Sequence, residues 1–120
     1  MSFEDEITRA IAAHGMWKKW LRSAIDNGKA EANPVEVARD DGCQFGQWLY
    51  GSTIPDAVRA GTDYTSVVKL HADFHQCAAK VLEFVAHGQK AQADALMAGE
   101  YARISADLTS AMAKWMAASH

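Results

Sequence analysis

The residues of this chain best suited to chemistry are histidines and cysteines on apolar helical faces. His71 and His75 stand in the segment H-A-D-F-H. Residues four apart on an α-helix differ by about 40° around the axis and about 6 Å along it, so both imidazoles can aim a nitrogen at one point. Such a pair chelates a metal ion, and a structural zinc site needs two further Cys or His donors.

Few other residues can complete this pair. Cys77 is turned about 200° away from His75 on the same helix, and His87 lies about 18 Å further along it. His120 is the last residue, and ordering a free terminus opposes its use as a ligand. The predicted zinc ligands are therefore the pair and the donors that remain: His14, Cys43, His71 and His75.

Both added donors have an alternative interpretation. His14 lies on a predicted buried face, where either a metal ion or a hydrogen bond to a carbonyl would satisfy its ring. Cys43 stands in D-D-G-C-Q-F-G-Q-W-L-Y-G, which predicts a turn into a short helix that ends at Gly51. A thiol in the first turn should have a lowered pKa and bind metal or react with oxidants, whereas an isolated cysteine packs as an inert core residue.

Three segments carry a resemblance to a known family. They are a histidine three residues before a tryptophan at 14 and 17, C-Q-F-G-Q-W-L-Y at 43–50, and H-A-D-F-H at 71–75. Together they resemble the chemoreceptor zinc-binding domain, often called CZB, over nearly the whole chain. The cysteine segment, with Gly46 and Trp48, is the most specific part.

The resemblance implies a bacterial helical bundle, commonly a homodimer, whose zinc is held by His14, Cys43, His71 and His75. It also implies a sensor of zinc or of oxidants such as hypochlorous acid, with Cys43 as the redox-sensing residue. Such domains report to a chemoreceptor or a diguanylate cyclase, in chemotaxis or cyclic di-GMP signalling. Because 120 residues leave no room for an output domain, we expect a stand-alone sensor that acts on a separate signalling protein in trans, or an excised domain.

Length and composition predict one small domain over residues 1–120. The net charge of −3 comes with scattered lysines and arginines, so nucleic acid is not an expected partner. No apolar run approaches the roughly 20 residues that cross a bilayer, and the start M-S-F-E-D-E is unlike a secretory signal. We therefore expect a cytoplasmic protein without membrane insertion, whose two cysteines are thiols.

The predicted fold is all-α, an antiparallel four-helix-type bundle with one or two extra short helices. Ser2 and Asp5 resemble a capping box for a first helix that ends at Asn27-Gly28, and Asn33 with Pro34 starts a short helix. After a loop over 51–61 that has room for a capped turn, a long helix runs from Thr62 or Asp63 to His87-Gly88, and Gly99 kinks or divides the last helix. Three helical faces are predicted to be buried: Ile7, Ile11, His14, Trp17, Leu21 and Ile25; Val67, Leu70, Phe74, Ala78, Val81, Leu82 and Val85; and Met97, Tyr101, Ile104, Leu108, Ala111 and Trp115.

Three of the four tryptophans have specific predictions. Trp17 and Trp48 flank the ligand positions and are expected to wall the site. Trp20 lies at the edge of its stripe, where a dimer interface and simple core packing are equally compatible with the sequence. Cys77 is expected to be a core residue, and a disulfide with Cys43 is conceivable only after zinc is lost.

Four protein ligands leave zinc no position for an activated water, so no enzymatic activity is expected. Two other interpretations remain open. A hemerythrin-like iron- or oxygen-binding bundle also uses H-x-x-x-H pairs, but it needs bridging carboxylates and more histidines. A metal-free helical dimerisation module would make the histidines ordinary core and edge residues.

Overall fold

The chain is built from helices. A computed structural model describes residues 3–29 and 33–118, and every regular element in these ranges is helical. The all-α prediction is therefore confirmed, while the four-helix antiparallel arrangement stays a prediction. Two predictions lie outside the described residues: the capping role of Ser2 and the exclusion of His120 as a ligand.

The elements follow one another with short connections. In chain order they are α1 (Phe3–Asn27), α2 (Pro34–Val37), α3 (Gln44–Tyr50), α4 (Asp56–Arg59), α5 (Thr62–Ala86), α6 (Lys90–Leu96), a π-helical turn (Met97–Tyr101) and α7 (Ala102–Ala118). The π turn joins α6 to α7 without a break and contains Gly99, so the predicted irregularity at this glycine is present. Apart from α6, which continues into α7, the described ranges hold three short helices where one or two were expected, because α4 forms inside the predicted loop.

Local signals account for the helix ends. Gly28 and Gly88 adopt φ of 69° and 70°, a left-handed conformation that favours glycine and stops α1 and α5 where the sequence predicts. The side chain of Asn33 accepts a hydrogen bond from the Val35 N–H at 2.9 Å. Asn33 therefore caps α2, as predicted, and α2 begins at Pro34.

Helix α5 is the centre of the fold. It packs against α1, α2, α6 and α7, and the buried apolar residues form one hydrophobic cluster. The predicted faces are largely correct, but Met112 is fully buried while Ala111 is only partly buried. Trp115 is buried as predicted, so Met112 widens the buried face of α7 and does not displace it.

Helix α1 is long but not apolar enough to span a bilayer, and the same holds for every other helix in the described ranges. Trp20 on α1 is half-buried, and its ring contacts that of Trp17 with centroids 4.9 Å apart. Trp20 thus packs within the chain, and its participation in a dimer stays a prediction.

Candidate metal centre

Four potential ligand atoms from separate parts of the chain converge at one point. The Cys43 Sγ lies 3.3 Å from the His71 Nε2 and 3.5 Å from the His75 Nε2, and the two Nε2 atoms are 3.0 Å apart. A donor atom of His14 completes the group, in which all four atoms lie within 4.8 Å of one another. The structure thus brings together the four residues that the sequence singles out.

Three elements position these side chains. His14 lies on α1, Cys43 directly precedes α3, and α5 carries His71 and His75 one turn apart. The three histidines are buried, with only 4%, 0% and 2% of their surfaces exposed in chain order. The site therefore draws its potential ligands from three separate helical segments.

Two hydrogen bonds fix which ring nitrogen faces the cluster. The Nδ1 of His14 donates to the Ala10 carbonyl at 2.6 Å, and that of His75 donates to the Val37 carbonyl at 3.0 Å. Each Nδ1 therefore carries the proton, which leaves the Nε2 lone pair for the cluster. Among the described residues the buried Nε2 of His14 has no hydrogen-bond partner. Its lone pair is therefore available to bind a metal ion.

His71 is oriented differently. Its buried Nδ1 has no hydrogen-bond partner in the described part of the chain. Ring packing holds it instead, since its centroid lies 5.1 Å from that of Phe45 and 5.1 Å from that of His14. Hydrogen bonds thus orient His14 and His75, whereas edge-on contacts with aromatic rings orient His71.

Burial keeps the histidines neutral. Desolvation lowers the pKa of His14 to about 4 and that of His71 to about 3, with the neighbouring rings contributing further lowering. Desolvation also lowers the pKa of His75, although its bond to Val37 and the nearby charge of Asp40 oppose this. Neutral imidazole is the form that binds metal, so the cluster is ready for a cation near neutral pH.

Cys43 differs from the sequence-based expectation in two respects. It is the N-cap residue of α3 and not a first-turn residue, and its Sγ accepts a hydrogen bond from the Gly46 N–H at 3.3 Å. The bond lowers the thiol pKa, but burial raises it more, so the pKa of the metal-free thiol lies above its ordinary value. The predicted lowering is therefore wrong for the metal-free thiol, because desolvation outweighs the helix terminus.

Gly46 is needed for the position of Cys43. A Cβ at Gly46 would overlap the carbonyl oxygen of Asp40 and lie 2.7 Å from its carbonyl carbon. The loop that carries Cys43 thus folds directly onto the backbone of α3, which only glycine permits.

Replacing Gly46 by alanine should therefore lower zinc affinity by at least about tenfold, because the loop must shift the sulfur. Gly15→Ala on α1 is the matched control, since a Cβ there meets nothing within 4 Å. This control should keep the affinity and gain about 0.5–1 kcal/mol of stability. Competition titration with a chromophoric zinc chelator measures both variants, and equal affinities would refute the positioning role of Gly46.

Aromatic rings enclose the cluster. The ring centroid of Trp17 lies 5.8 Å from that of His75, and the centroid of Phe74 lies 4.8 Å from that of His14. Trp48 instead stacks on Phe45, with ring centroids 5.7 Å apart, and so contacts a wall residue. Phe45 and Phe74 were not among the predicted wall residues. Their positions inside the two ligand motifs could have indicated that they lie beside the site.

The remaining histidine and cysteine of the described ranges stand apart from the site. Cys77 is buried as a core residue, as predicted, and His87 is exposed at the end of α5. Both belong to no group of three or more potential metal ligands within the described residues.

The donor set fits zinc. Tetrahedral zinc with bonds of about 2.0–2.1 Å to nitrogen and 2.3 Å to sulfur has edges of about 3.3 Å between nitrogens and about 3.6 Å from nitrogen to sulfur. The distances of 3.0, 3.3 and 3.5 Å among Cys43, His71 and His75 are close to these edges. The group includes no carboxylate, which disfavours a carboxylate-bridged di-iron centre.

The described ranges thus form an all-helical protein in which three buried histidines and one partly buried cysteine make up a group of potential metal ligands. The family model described as Chemoreceptor zinc-binding domain, CZB, matches residues 14–82, more than half of the chain and a range that contains all four donors. The chain therefore belongs to the CZB family, and the sequence-based recognition is confirmed. Comparison with the curated proteins and with the solved structures found no match.

Proposed function

We propose that this protein binds one zinc ion through His14, Cys43, His71 and His75 and acts as a regulatory sensor domain rather than as an enzyme. The observation that carries the proposal is the convergence of four donor atoms within 4.8 Å. The unpartnered, buried Nε2 of His14 supports it, since leaving such an atom unsatisfied costs free energy unless a ligand is bound.

The four ligand residues would let one metal ion join three helices. Zinc, when bound, would supply one tetrahedral centre shared by α1, the start of α3 and α5. Without it, the His14 ring bonds to Ala10 within α1 and touches α5 only through ring contacts such as that with Phe74, which are weaker than a bond to a shared metal ion. Occupancy would therefore bias how α1 and α3 pack on α5, and a partner can detect such a shift.

Oxidation of Cys43 offers a second input at the same place. Its sulfur would take an oxygen atom from hypochlorous acid, giving a sulfenic acid and chloride, or from hydrogen peroxide, giving a sulfenic acid and hydroxide. A sulfenic acid is a weaker ligand than a thiolate. Because Cys43 is the only sulfur in the cluster, its oxidation would mimic zinc loss.

The output of this sensor is proposed to be a separate signalling protein of the chemoreceptor or diguanylate cyclase type, reached as a homodimer in the cytoplasm. Met16 and Val35 are large apolar side chains that are 60% and 72% exposed, and they supply apolar area for such contacts. Light scattering measures the association directly, and a molar mass of one chain at micromolar concentration would contradict the dimer.

The deciding experiment is elemental metal analysis of protein purified without added metal. We expect about one zinc per chain in the parent and substantially less in Cys43→Ala and His75→Ala, since each change removes one of four ligands. Cys77→Ala is the matched control, because this buried thiol lies outside the cluster, and it should keep the parent content. Metal-free parent protein, or iron in place of zinc, would overturn the proposal.

A further inference from the structure

A surface groove leads to the cluster from one side. It has a volume of about 390 Å³, and its lining includes Trp17 of α1, residues of α2 and the following loop, and the ligand residues Cys43 and His75. Gln47 of α3 also lines it and is exposed. Two of the four ligand residues therefore border this groove, and Cys43 is the more exposed of the two.

A second, smaller cavity also borders Cys43. Its volume is about 80 Å³, and His14, Cys43 and Gln44 are among its lining residues. The groove is therefore the larger of the two spaces beside Cys43.

The charges around the groove are mostly negative. Glu36 and Asp41 line it. Arg39 is the one cation in the lining, and it is paired with Asp41 at 3.2 Å. Two carboxylates against one guanidinium give a field that attracts cations and repels anions.

We propose that this groove is the route by which a hydrated divalent cation reaches the cluster, and that its carboxylates favour cations and neutral reactants over anions. The role of this route in zinc binding rests on the proposed function. The route itself can be tested without zinc, because the reaction rate of the Cys43 thiol shows which molecules reach the cluster.

The first test measures thiol reactivity in metal-free protein, in a Cys77→Ala background that leaves Cys43 as the single thiol. The probe is the neutral disulfide 4,4′-dithiodipyridine. Gln47→Trp, which obstructs the groove, should slow the reaction at least about fivefold because access governs thiol reactivity. Gln44→Trp on the same helix obstructs the smaller cavity and should leave the rate within about twofold of the parent.

Gln44 and Gln47 are both exposed on α3, so both tryptophan variants should fold, and circular dichroism checks this. Slowing by Gln44→Trp alone would move the route to the smaller cavity and overturn the proposal. Equal rates in all three proteins would mean that the thiol is reached through local opening, which overturns it as well.

The charge component has its own test. The dianionic disulfide 5,5′-dithiobis(2-nitrobenzoate) should react more slowly than the neutral reagent, and Asp41→Asn should raise its relative rate about threefold at low salt. The gain should shrink at high ionic strength because exposed charges are screened. An unchanged ratio of the two rates in Asp41→Asn would overturn the charge selectivity.

Zinc association in the full chain separates this inference from the proposed function. By stopped-flow mixing, Gln47→Trp should slow association and dissociation by the same factor and leave the equilibrium affinity unchanged. Unaltered association kinetics would contradict the route, even if zinc binds. A parent protein that binds no zinc would refute the proposed function, while the thiol rates would still decide how the cluster is reached.

Discussion

Removing zinc from the saturated protein with a chelator will lower its melting temperature by roughly 10 °C. Zinc at one hundred times its dissociation constant stabilises the fold by about 2.7 kcal/mol, and for a chain of this size each kcal/mol shifts Tm by several degrees. The effect is expected because the ligand atoms from α1, α3 and α5 are brought together only in the folded chain. Differential scanning calorimetry with and without chelator measures the shift.

Two histidine variants sharpen this test. His71→Ala removes the fully buried ligand and should abolish the response to chelator, whereas His87→Ala alters an exposed histidine outside the cluster and should retain it. Superimposable melting curves of the parent with and without chelator would count against a zinc-stabilised fold. In a metal-free module, Cys43→Ala would cost only about 1 kcal/mol of packing and would leave no chelator effect to lose.

The metal-free protein will lose stability as the pH falls from about 7 to about 5. The ordinary histidine pKa of 6.5 applies to the unfolded chain, while burial lowers the folded-state pKa to about 4 for His14 and about 3 for His71. Above pH 6.5 both states are neutral, but below it the unfolded state binds protons that the folded state does not, so unfolding becomes more favourable. The loss continues until the pH reaches the folded pKa values.

The expected magnitude is on the order of 2 kcal/mol for each of these two histidines between about pH 7 and about pH 5. That is a large share of the 5–15 kcal/mol that is typical of a domain. Guanidinium unfolding at several pH values measures the slope, and His14→Gln should reduce it because one buried titrating group is gone. A parent stability that is flat over this interval would show that the buried rings do not remain neutral.

Much of the local structure could be predicted from sequence because its causes are local. The ends of α1 and α5 depend on glycines that adopt positive φ, at Gly28 and Gly88, and the start of α2 depends on the cap of Asn33. Helical periodicity likewise predicts the buried faces, with the addition of Met112 late in α7. The single turn of α4 lies where the sequence predicts a loop with a capped turn, since four residues after Pro55 carry too little periodicity to predict a helix.

The helical class, the family and the four donor residues could be predicted from the sequence alone, because spacing along a helix and a short motif are properties of nearby residues. The chemical behaviour of those donors depends on tertiary contacts. The carbonyls of Ala10 and Val37 select the Nε2 atoms, and burial reverses the expected shift in the thiol pKa of Cys43. The groove beside His75 also exists only once α1, α3 and α5 are packed, because desolvation, distant hydrogen-bond partners and solvent access depend on which segments meet in space.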